Sequence, residues 1–426
     1  MTWIKGTSSS LETLTSADDI YETHINQLRV SNPSSAVVGM ATNSQYECDG
    51  TADDVQIQAA IDYVNGLGGG NIIIKGGTYA LSTIVNLKTG VHLRGEGEIT
   101  KLSFTGTTSG NAAITIPDGQ SNCSMRDLWL FNGVADNTLY YTYGVKIKHS
   151  NRVVIDHCRV EGFGAMGVVA QSGDLTPEHY CQDVWITNNY VKDNGRNAIS
   201  GGSAEDGIAI SECKNAYVLN NTVDDYSLHG INLEGYWLEN VIVEGNNITC
   251  TTRTAAQLSG RGILLGVTDK GGAVNEVCRN ITIKNNNIHN LDLTNTYFNN
   301  SGNAYRTGAI IVACSNITNE VRNVEISDNK IWNCNGYYHA GIRVSGGNFV
   351  GNLKITGNQI DTITSVGGVG GHGIWIGGVS SLPSSKSIIM GNMIKNTDGS
   401  GVYLDAIPVT GYITDVSNTM VANNMI

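Results

Sequence analysis

The sequence predicts an all-β solenoid, in which short parallel strands wind into stacked coils. One phrase recurs ten times: an apolar residue, two mostly polar residues, a fixed position, one further residue and an apolar residue. Repetition at 25 (Asn221 to Asn246) to 43 (Asn286 to Asn329) residues is typical of one supersecondary unit with variable loops. The content of 52 Gly, 5 Pro and only 15% charged residues suits tight turns between stacked strands. The fixed positions are Leu128, Cys158, Asn189, Asn221, Asn246, Asn286, Asn329, Asn358, Asn392 and Asn424.

A second phrase, a glycine that begins an apolar, variable, apolar strand, alternates with the first. Together the two phrases predict two or three strands per coil and about eleven coils. Eight of the ten fixed positions are Asn, which tolerates left-handed turn geometry and can bond the equivalent amide on the next coil. The repeat glycines are Gly144, Gly167, Gly207, Gly230, Gly262, Gly308, Gly341, Gly373 and Gly401.

The first part of the chain lacks this repeat. Residues 1–45 are rich in Ser and Thr and are predicted to form an arm or linker, while the solenoid occupies residues 46–426. Within it, residues 51–66 predict an amphipathic helix with Thr51 as N-cap, and its apolar positions are Ile57, Ala60, Ile61 and Val64. We expect this helix to cap the open end of the solenoid, where strand edges are unpaired.

The stretch from Asp49 to Tyr79 combines an acidic turn, the helix, several glycines and a Gly-Thr-Tyr turn. It resembles the start of right-handed parallel β-helices of the pectate-lyase superfamily, and the resemblance extends over residues 46–426. It implies a single-stranded right-handed parallel β-helix that binds or cleaves a polysaccharide or cell-surface glycan. Members include polysaccharide lyases, polygalacturonase-type hydrolases, epimerases and phage tailspikes.

Location and assembly are predicted from the same resemblance. No signal peptide or membrane-spanning run is recognisable, so we expect a tailspike-like virion or extracellular surface protein that is made and folded in the cytoplasm. A homotrimer is expected by analogy with tailspikes, and the outward apolar residues Leu264 and Ile311 agree with a subunit contact. The net charge of −12 argues against nucleic acid as a partner.

The residues that precede the repeat glycines should form one column along the solenoid. Asp206, His229 and Arg261 would then lie on three successive coils, about 5 Å apart per step. Paired carboxylates with an imidazole and a guanidinium suit glycosidic cleavage. We predict Asp206 as the acid, Glu205 or Asp225 as the base, and His229 and Arg261 as substrate-positioning groups. The residues predicted to bind substrate nearby are Asn232, Glu234, Tyr236 and Trp237.

The segments Glu205-Asp206-Gly207 and His229-Gly230 resemble the paired-Asp and Gly-His-Gly motifs of polygalacturonase-type hydrolases. This resemblance implies a glycoside hydrolase. The sequence departs from the family pattern because Glu205 replaces an Asp, Leu228 replaces a Gly and Met166 stands where the family has another Asp.

A polysaccharide lyase is an alternative. The strand from Val154 to Cys158 resembles the Val-Trp-Ile-Asp-His strand of pectate lyases, which implies a calcium ion that neutralises a uronate carboxylate. Its candidate ligands are Asp127, Asp156, Asp206 and Asp225. Apart from this calcium ion, no cofactor and no metal site are predicted, since the cysteines show no paired metal spacing.

A second group of residues predicts a glycan-binding strip. Arg343, Trp375 and Tyr403 hold equivalent outward positions on consecutive coils, beside His339, His372 and Asp405. One cation and two aromatic rings in a ladder can bind a sugar chain, or they can stabilise the sheet as a cross-strand stack. The strip therefore agrees equally with a non-catalytic structural or adhesive rod, which is the other functional alternative.

Overall fold

Three long parallel sheets form a right-handed parallel β-helix of about eleven coils, which confirms the predicted fold class. Sheets 1 and 3 contain 11 strands each and sheet 2 contains 15. The computed structural model describes residues 3–7, 10–14, 35–40, 44–134, 141–172, 179–195, 206–235, 237–251, 261–267, 277–293, 308–314, 320–336, 339–345, 348–349, 352–365, 370–377, 387–405 and 419–426.

Along the chain the strands fall in turn on sheets 1, 2 and 3, and sheet 2 has additional strands before the first full coil and at Asn348–Phe349. Sheet 1 contains β7 (Val85–Asn86), β10 (Ala112–Ile116), β13 (Tyr143–Lys148), β16 (Val168–Gln171), β19 (Ile208–Ile210), β22 (His229–Glu234), β25 (Arg261–Val267), β28 (Ile310–Cys314), β31 (Ala340–Ser345), β35 (His372–Gly377) and β38 (Val402–Asp405). Sheet 3 contains β6 (Gly77–Leu81), β9 (Thr100–Phe104), β12 (Trp129–Asn132), β15 (Arg159–Glu161), β18 (Tyr190–Lys192), β21 (Thr222–Asp224), β24 (Asn247–Cys250), β27 (Asn287–Leu293), β30 (Lys330–Gly336), β34 (Gln359–Ser365) and β37 (Met393–Thr397).

Sheet 2 lies between sheets 1 and 3 along the chain within each coil. It contains β3 (Ser35–Gly39), β4 (Tyr46–Glu47), β5 (Gly70–Ile74), β8 (Val91–Arg94), β11 (Ser121–Arg126), β14 (Asn151–Asp156), β17 (Cys181–Thr187), β20 (Cys213–Leu219), β23 (Trp237–Glu244), β26 (Val277–Lys284), β29 (Glu320–Ser327), β32 (Asn348–Phe349), β33 (Leu353–Thr356), β36 (Ser387–Met390) and β39 (Thr419–Ala422). Alternation along each strand turns Val, Ile and Leu inward, where equivalent residues such as Ile155, Ile186 and Val218 stack in register and are fully buried.

The predicted asparagine ladder connects sheets 2 and 3. From Asn189 to Asn424, each side-chain amide donates to Oδ1 of the next at 2.9–3.0 Å. That same Oδ1 also accepts the backbone N–H of the previous ladder residue. The turn geometry differs from the prediction, because the left-handed conformation belongs to the preceding residue, as in Asn188 (φ 56°) and Asn220 (φ 55°).

A glycine column lies at the start of the sheet 1 strands because the coils approach each other closely there. A Cβ on Gly207 would lie 2.7 Å from the carbonyl oxygen of Gly230 and 2.4 Å from Cγ1 of Val223. Gly167, Gly341 and Gly373 meet the carbonyl of the next coil in the same way. Any side chain at these positions would separate neighbouring coils, which explains the glycine of the second repeat phrase.

One helix, α1 (Asp54–Gly66), covers the first coil, and its predicted apolar residues are buried. It begins three residues later than predicted, with Asp53 rather than Thr51 at the N-cap. Asp53 fixes the preceding turn instead, because its Oδ1 accepts the amides of Asp49 and Gly50 and its Oδ2 accepts the amide of Ala80. A 3-10 turn, Gly97–Ile99, follows β8.

The predicted arm, residues 1–45, is not wholly separate from the solenoid. Strands β1 (Trp3–Thr7) and β2 (Ser10–Leu14) pair antiparallel as a two-stranded sheet. Strand β3, in contrast, pairs in parallel with β5, so sheet 2 begins at Ser35 instead of after residue 45.

The outward face of sheet 1 is largely buried. Leu264 and Ile311 are 6% and 0% exposed and pack with Ala313 in a small apolar cluster. They therefore do not form the exposed apolar patch that a subunit contact would need, and they do not support the expected trimer.

Candidate functional site

Asp206, His229 and Arg261 lie in one column, as the repeat predicts. His229 pairs with Arg261 in the register of β22 and β25. Asp206 is aligned with His229, because each lies two residues before a member of the paired residues Ile208 and Ile231. All three side chains point outward from sheet 1, and their residues are 0%, 2% and 5% exposed. The column is therefore a buried polar group rather than a set of solvated turn residues.

The three side chains form one hydrogen-bonded relay. Nδ1 of His229 lies 2.8 Å from Oδ1 of Asp206, and Nη1 of Arg261 lies 3.0 Å from Nε2 of His229. A guanidinium can only donate, so Nε2 must accept and the imidazole proton resides on Nδ1, where it is donated to Asp206. His229 is then neutral, between a carboxylate and a guanidinium whose charges balance.

Asn232 extends the relay toward the surface. Its side-chain amide lies 2.9 Å from Oδ2 of Asp206 and 3.2 Å from Oε2 of Glu234, which is half-buried. Two oxygens that share one nitrogen are at most about 6 Å apart, near the short end of the carboxylate separations of glycoside hydrolases, about 5 to 9.5 Å. The sequence predicted Glu234 only as a binding residue, and its position two residues after Asn232 on β22 was the available signal for this pair.

The acid role predicted for Asp206 does not suit this geometry. A general acid must reach the leaving oxygen, whereas Asp206 is fully buried and both of its oxygens accept hydrogen bonds. The predicted base Asp225 lies in the turn between β21 and β22, where its Oδ1 accepts the amide of Thr251. Glu205, the other predicted base, lies outside the described residues.

Of the two predicted aromatic binding residues, the one that the structure describes does not join the relay. Trp237 begins β23 in sheet 2, where the guanidinium of Arg279 lies 5.4 Å from the centre of its ring. Tyr236 lies outside the described residues.

The second predicted group is assembled as expected but is mostly buried. Arg343, Trp375 and Tyr403 are in register, the guanidinium lies 4.0 Å from the Trp375 ring centre, and the two rings meet edge to face at 5.9 Å. Arg343 and Trp375 are 2% and 7% exposed. His372, which is half-buried, stacks on Tyr403 at 4.5 Å. Only this last pair offers ring faces near the surface.

His339 lies next to that group and is fully buried. Neither of its ring nitrogens has a hydrogen-bond partner in the described part of the chain. Burial, together with the positive charge of Arg343, lowers the pKa of His339 to about 3, so the imidazole is neutral. Asp405, the other neighbour predicted here, ends β38.

The four carboxylates considered as calcium ligands do not form one cluster. Asp127 and Asp156 lie where sheet 2 turns into sheet 3, whereas Asp206 and Asp225 lie where sheet 3 turns into sheet 1. Within the described ranges, no group of three or more His, Cys, Asp or Glu side chains is arranged to hold a metal ion. No helix among the described residues is long and apolar enough to cross a membrane.

Comparisons with known proteins agree with the fold. A family model described as "Right handed beta helix region" matches residues 67–248. The structure is similar to an exopolygalacturonase from Thermotoga maritima, with a TM-score of 0.60, 14% identity and 96% of each chain covered. It is also similar to PfbA, a surface adhesin of Streptococcus pneumoniae, with a TM-score of 0.57, 16% identity and coverage of 86% of this chain and 93% of the adhesin.

A viral protein has a similar fold. The structure of ORF18 from Geobacillus virus E2 matches all of this chain over 68% of its own, with a TM-score of 0.51 and 15% identity. At such identities the likeness concerns the fold alone. The protein is a right-handed parallel β-helix protein.

Proposed function

We propose that this protein binds a polysaccharide along sheet 1 and hydrolyses it at the Asp206–Glu234 pair. The observation that carries the proposal is the amide of Asn232, which holds these two carboxylates within about 6 Å of each other. The similarity in fold to an exopolygalacturonase supports a carbohydrate substrate.

The two carboxylates take different roles in the proposed reaction. Glu234, the member nearer the surface, donates its proton to the glycosidic oxygen as the bond to the anomeric carbon breaks. Asp206 is buried behind Asn232 and does not contact the sugar, so its carboxylate stabilises the positive charge that develops on the sugar ring only electrostatically, through the protein. Glu234 then accepts a proton from the water whose hydroxyl adds to the anomeric carbon. His229 and Arg261 position Asp206 and do not contact the sugar.

Cleavage is tested with a panel of polysaccharides and an assay for new reducing ends. The proposal expects Glu234→Gln to lose activity by two or more orders of magnitude, since proton transfer typically contributes 10²–10⁴-fold. Glu244→Gln on sheet 2 is the matched control, because Glu244 is also half-buried and pairs with Lys284. Equal activity in Glu234→Gln and the control would overturn the proposal, and unsaturated products that absorb ultraviolet light would assign a lyase.

A non-catalytic adhesive rod is the second candidate. The half-buried pair of His372 and Tyr403 and the fold of the pneumococcal adhesin favour it. This candidate predicts glycan retention without cleavage, and it predicts that Tyr403→Ala weakens retention while Glu234→Gln does not. A virion or cell-surface location suits both candidates, and analytical ultracentrifugation tests the expected trimer.

A further inference from the structure

The outer face of sheet 2 contains a cavity of about 390 Å³, on a different sheet from Asp206. This volume lies within the range of small-molecule sites, about 300–1,000 Å³. Strands β8, β11, β14 and β17 supply its lining. None of these residues takes part in the proposed cleavage.

The cavity is a slot between two rings. The outward column of sheet 2 reads His92, Ser124, Val154, Trp185 and Tyr217 in register. Trp185 stacks face to face on Tyr217, with ring centres 5.4 Å apart and an angle of 10°. The short side chains of Ser124 and Val154 leave the space between the His92 and Trp185 rings, which are three coil steps or roughly 14 Å apart.

One arginine lies on each side of Ser124 and Val154, the two short residues that line the slot. Arg126 follows Ser124 by two residues on β11, and it is paired with Asp127 at 3.3 Å and Asp156 at 3.7 Å. Burial alone would raise the pKa of Asp156, but hydrogen bonds from Asn188, His157 and Thr187 outweigh burial and hold the pKa below its usual value. Asp156 therefore stays ionised and offsets the charge of Arg126.

Arg152, on the other side, makes no such ion pair, although Asp183 holds the equivalent position on the next coil. It precedes Val154 by two residues on β14, is exposed, and makes no ion pair or hydrogen bond within the described part of the chain. Its guanidinium is therefore available to a ligand in the slot, and it is a donor that suits a carboxylate in a bidentate pair.

The backbone of Arg152 supports a role beyond packing. Its φ is 53°, in a column of left-handed residues that contains Asn122 and Asp183 on the adjacent coils and Asn215 and Asn240 on the next two. Asn and Asp tolerate this conformation, whereas other side chains are strained by about 1–2 kcal/mol. The side-chain amide of Asn240 donates to Asn215 and that of Asn215 donates to Oδ1 of Asp183, so this hydrogen-bonded column ends at Asp183, the residue beside Arg152. The strained backbone of Arg152 is not explained by the ladder, and a strained residue at the edge of a cavity suggests function.

We propose that this slot binds a sugar ring that carries an anionic group. The apolar face of the sugar lies against Trp185, and the anionic group pairs with Arg152. A uronate and a sulfated sugar share this chemistry. The site lies on a different sheet from the cleavage site, so it would serve to hold a chain on the outer surface of the rod.

Titration calorimetry with the full chain tests the proposal. The probes are short oligomers of galacturonate, sulfated oligomers of galactose and neutral oligomers of galactose. Arg152→Asn is the informative variant, because Asn suits the left-handed position and the fold is expected to be retained or stabilised. We expect this variant to weaken binding of the anionic oligomers about tenfold or more, the loss of one charged hydrogen-bond pair. Trp185→Val should weaken it as well.

Lys354→Gln is the matched control, since it removes one positive charge from the same sheet far from the slot. Unchanged affinity in Arg152→Asn, equal binding of neutral and anionic oligomers, or no binding by the unaltered protein would each overturn the proposal. Tighter binding of one anionic oligomer identifies the group as a carboxylate or a sulfate ester. Binding that persists in Glu234→Gln separates this site from the proposed active site, so either proposal can fail alone.

Discussion

Asp206 and Arg261 are opposite charges held on the two sides of one neutral imidazole, two coils apart. Neither charge touches the other, yet both are buried, and His229 carries the interaction between them through its two nitrogens. The arrangement fixes the orientation of Asp206, because buried carboxylate and imidazole groups that share a hydrogen bond hold one another in place.

Removing the guanidinium should destabilise the middle of the solenoid. Arg261→Met leaves Asp206 buried without a compensating charge, and we expect a loss of roughly 3–5 kcal/mol in the free energy of unfolding. The double variant Arg261→Met with Asp206→Asn should recover part of the loss, because no net charge then remains buried. Urea unfolding measures both, and an Arg261→Met protein as stable as the parent would contradict the relay.

The buried asparagine ladder should contribute more to stability than the exposed outer ladder does. Asn246→Ala removes the acceptor of the backbone N–H of Asn221 and one of the two acceptors of its side-chain amide, and both groups are buried. At about 1–3 kcal/mol for each unsatisfied group, we expect several kcal/mol of destabilisation. Asn323→Gly serves as the control, since its bond to Asn280 lies in an exposed outer ladder and Gly tolerates the left-handed φ of 52° at this position. Hydrogen exchange should increase in coils beside Asn246 and remain unchanged in the control.

The glycine column predicts a purely steric effect. In Gly207→Ala the new methyl group would meet the carbonyl oxygen of Gly230 at 2.7 Å, so the coils must separate locally. We expect a cost of about 1–3 kcal/mol, as for other overpacked sites. Gly66→Ala at the end of α1 meets nothing within 4 Å and should be neutral or slightly stabilising in the same thermal unfolding experiment. Equal effects of the two substitutions would refute close coil contact as the reason for the column.

Features that repeat on every coil could be predicted from the sequence. Equivalent residues on successive coils must stack, so the Asn189–Asn221 bond and the alignment of His229 with Arg261 followed from the repeat alone. Features that depend on one residue's local geometry did not follow. The left-handed conformation of Asn188 instead of Asn189 is one example, and the outer ladder through Asn240 and Asn280 is another.

Burial of the outward face of sheet 1 was also not predictable. Period-two alternation assigns Trp375 and Arg343 to the outside of the sheet. Their exposure depends on what packs over the sheet, and the repeat does not predict that packing. The Asn232 bridge was missed for a related reason. It joins Asp206 on one coil to Glu234 on the next through an offset of several residues, whereas the column rule aligns only equivalent positions.

His339 should make the protein sensitive to acid. The pKa of this buried imidazole is about 3 in the folded state, whereas an imidazole in the unfolded chain has its ordinary value near 6.5. Between these values only the unfolded chain binds the proton, so stability falls as the pH falls, by about 1.4 kcal/mol for each pH unit.

His339→Leu removes this dependence and the two unpaired nitrogens. Urea unfolding from pH 7 to pH 4 should therefore show that the free energy of unfolding of the variant falls less steeply with falling pH, by the uptake of about one proton. At pH 7 the variant should be as stable as the parent or more stable. His92→Leu, at a half-buried imidazole on sheet 2, is the control, and a variant slope equal to that of the parent would show that His339 titrates normally.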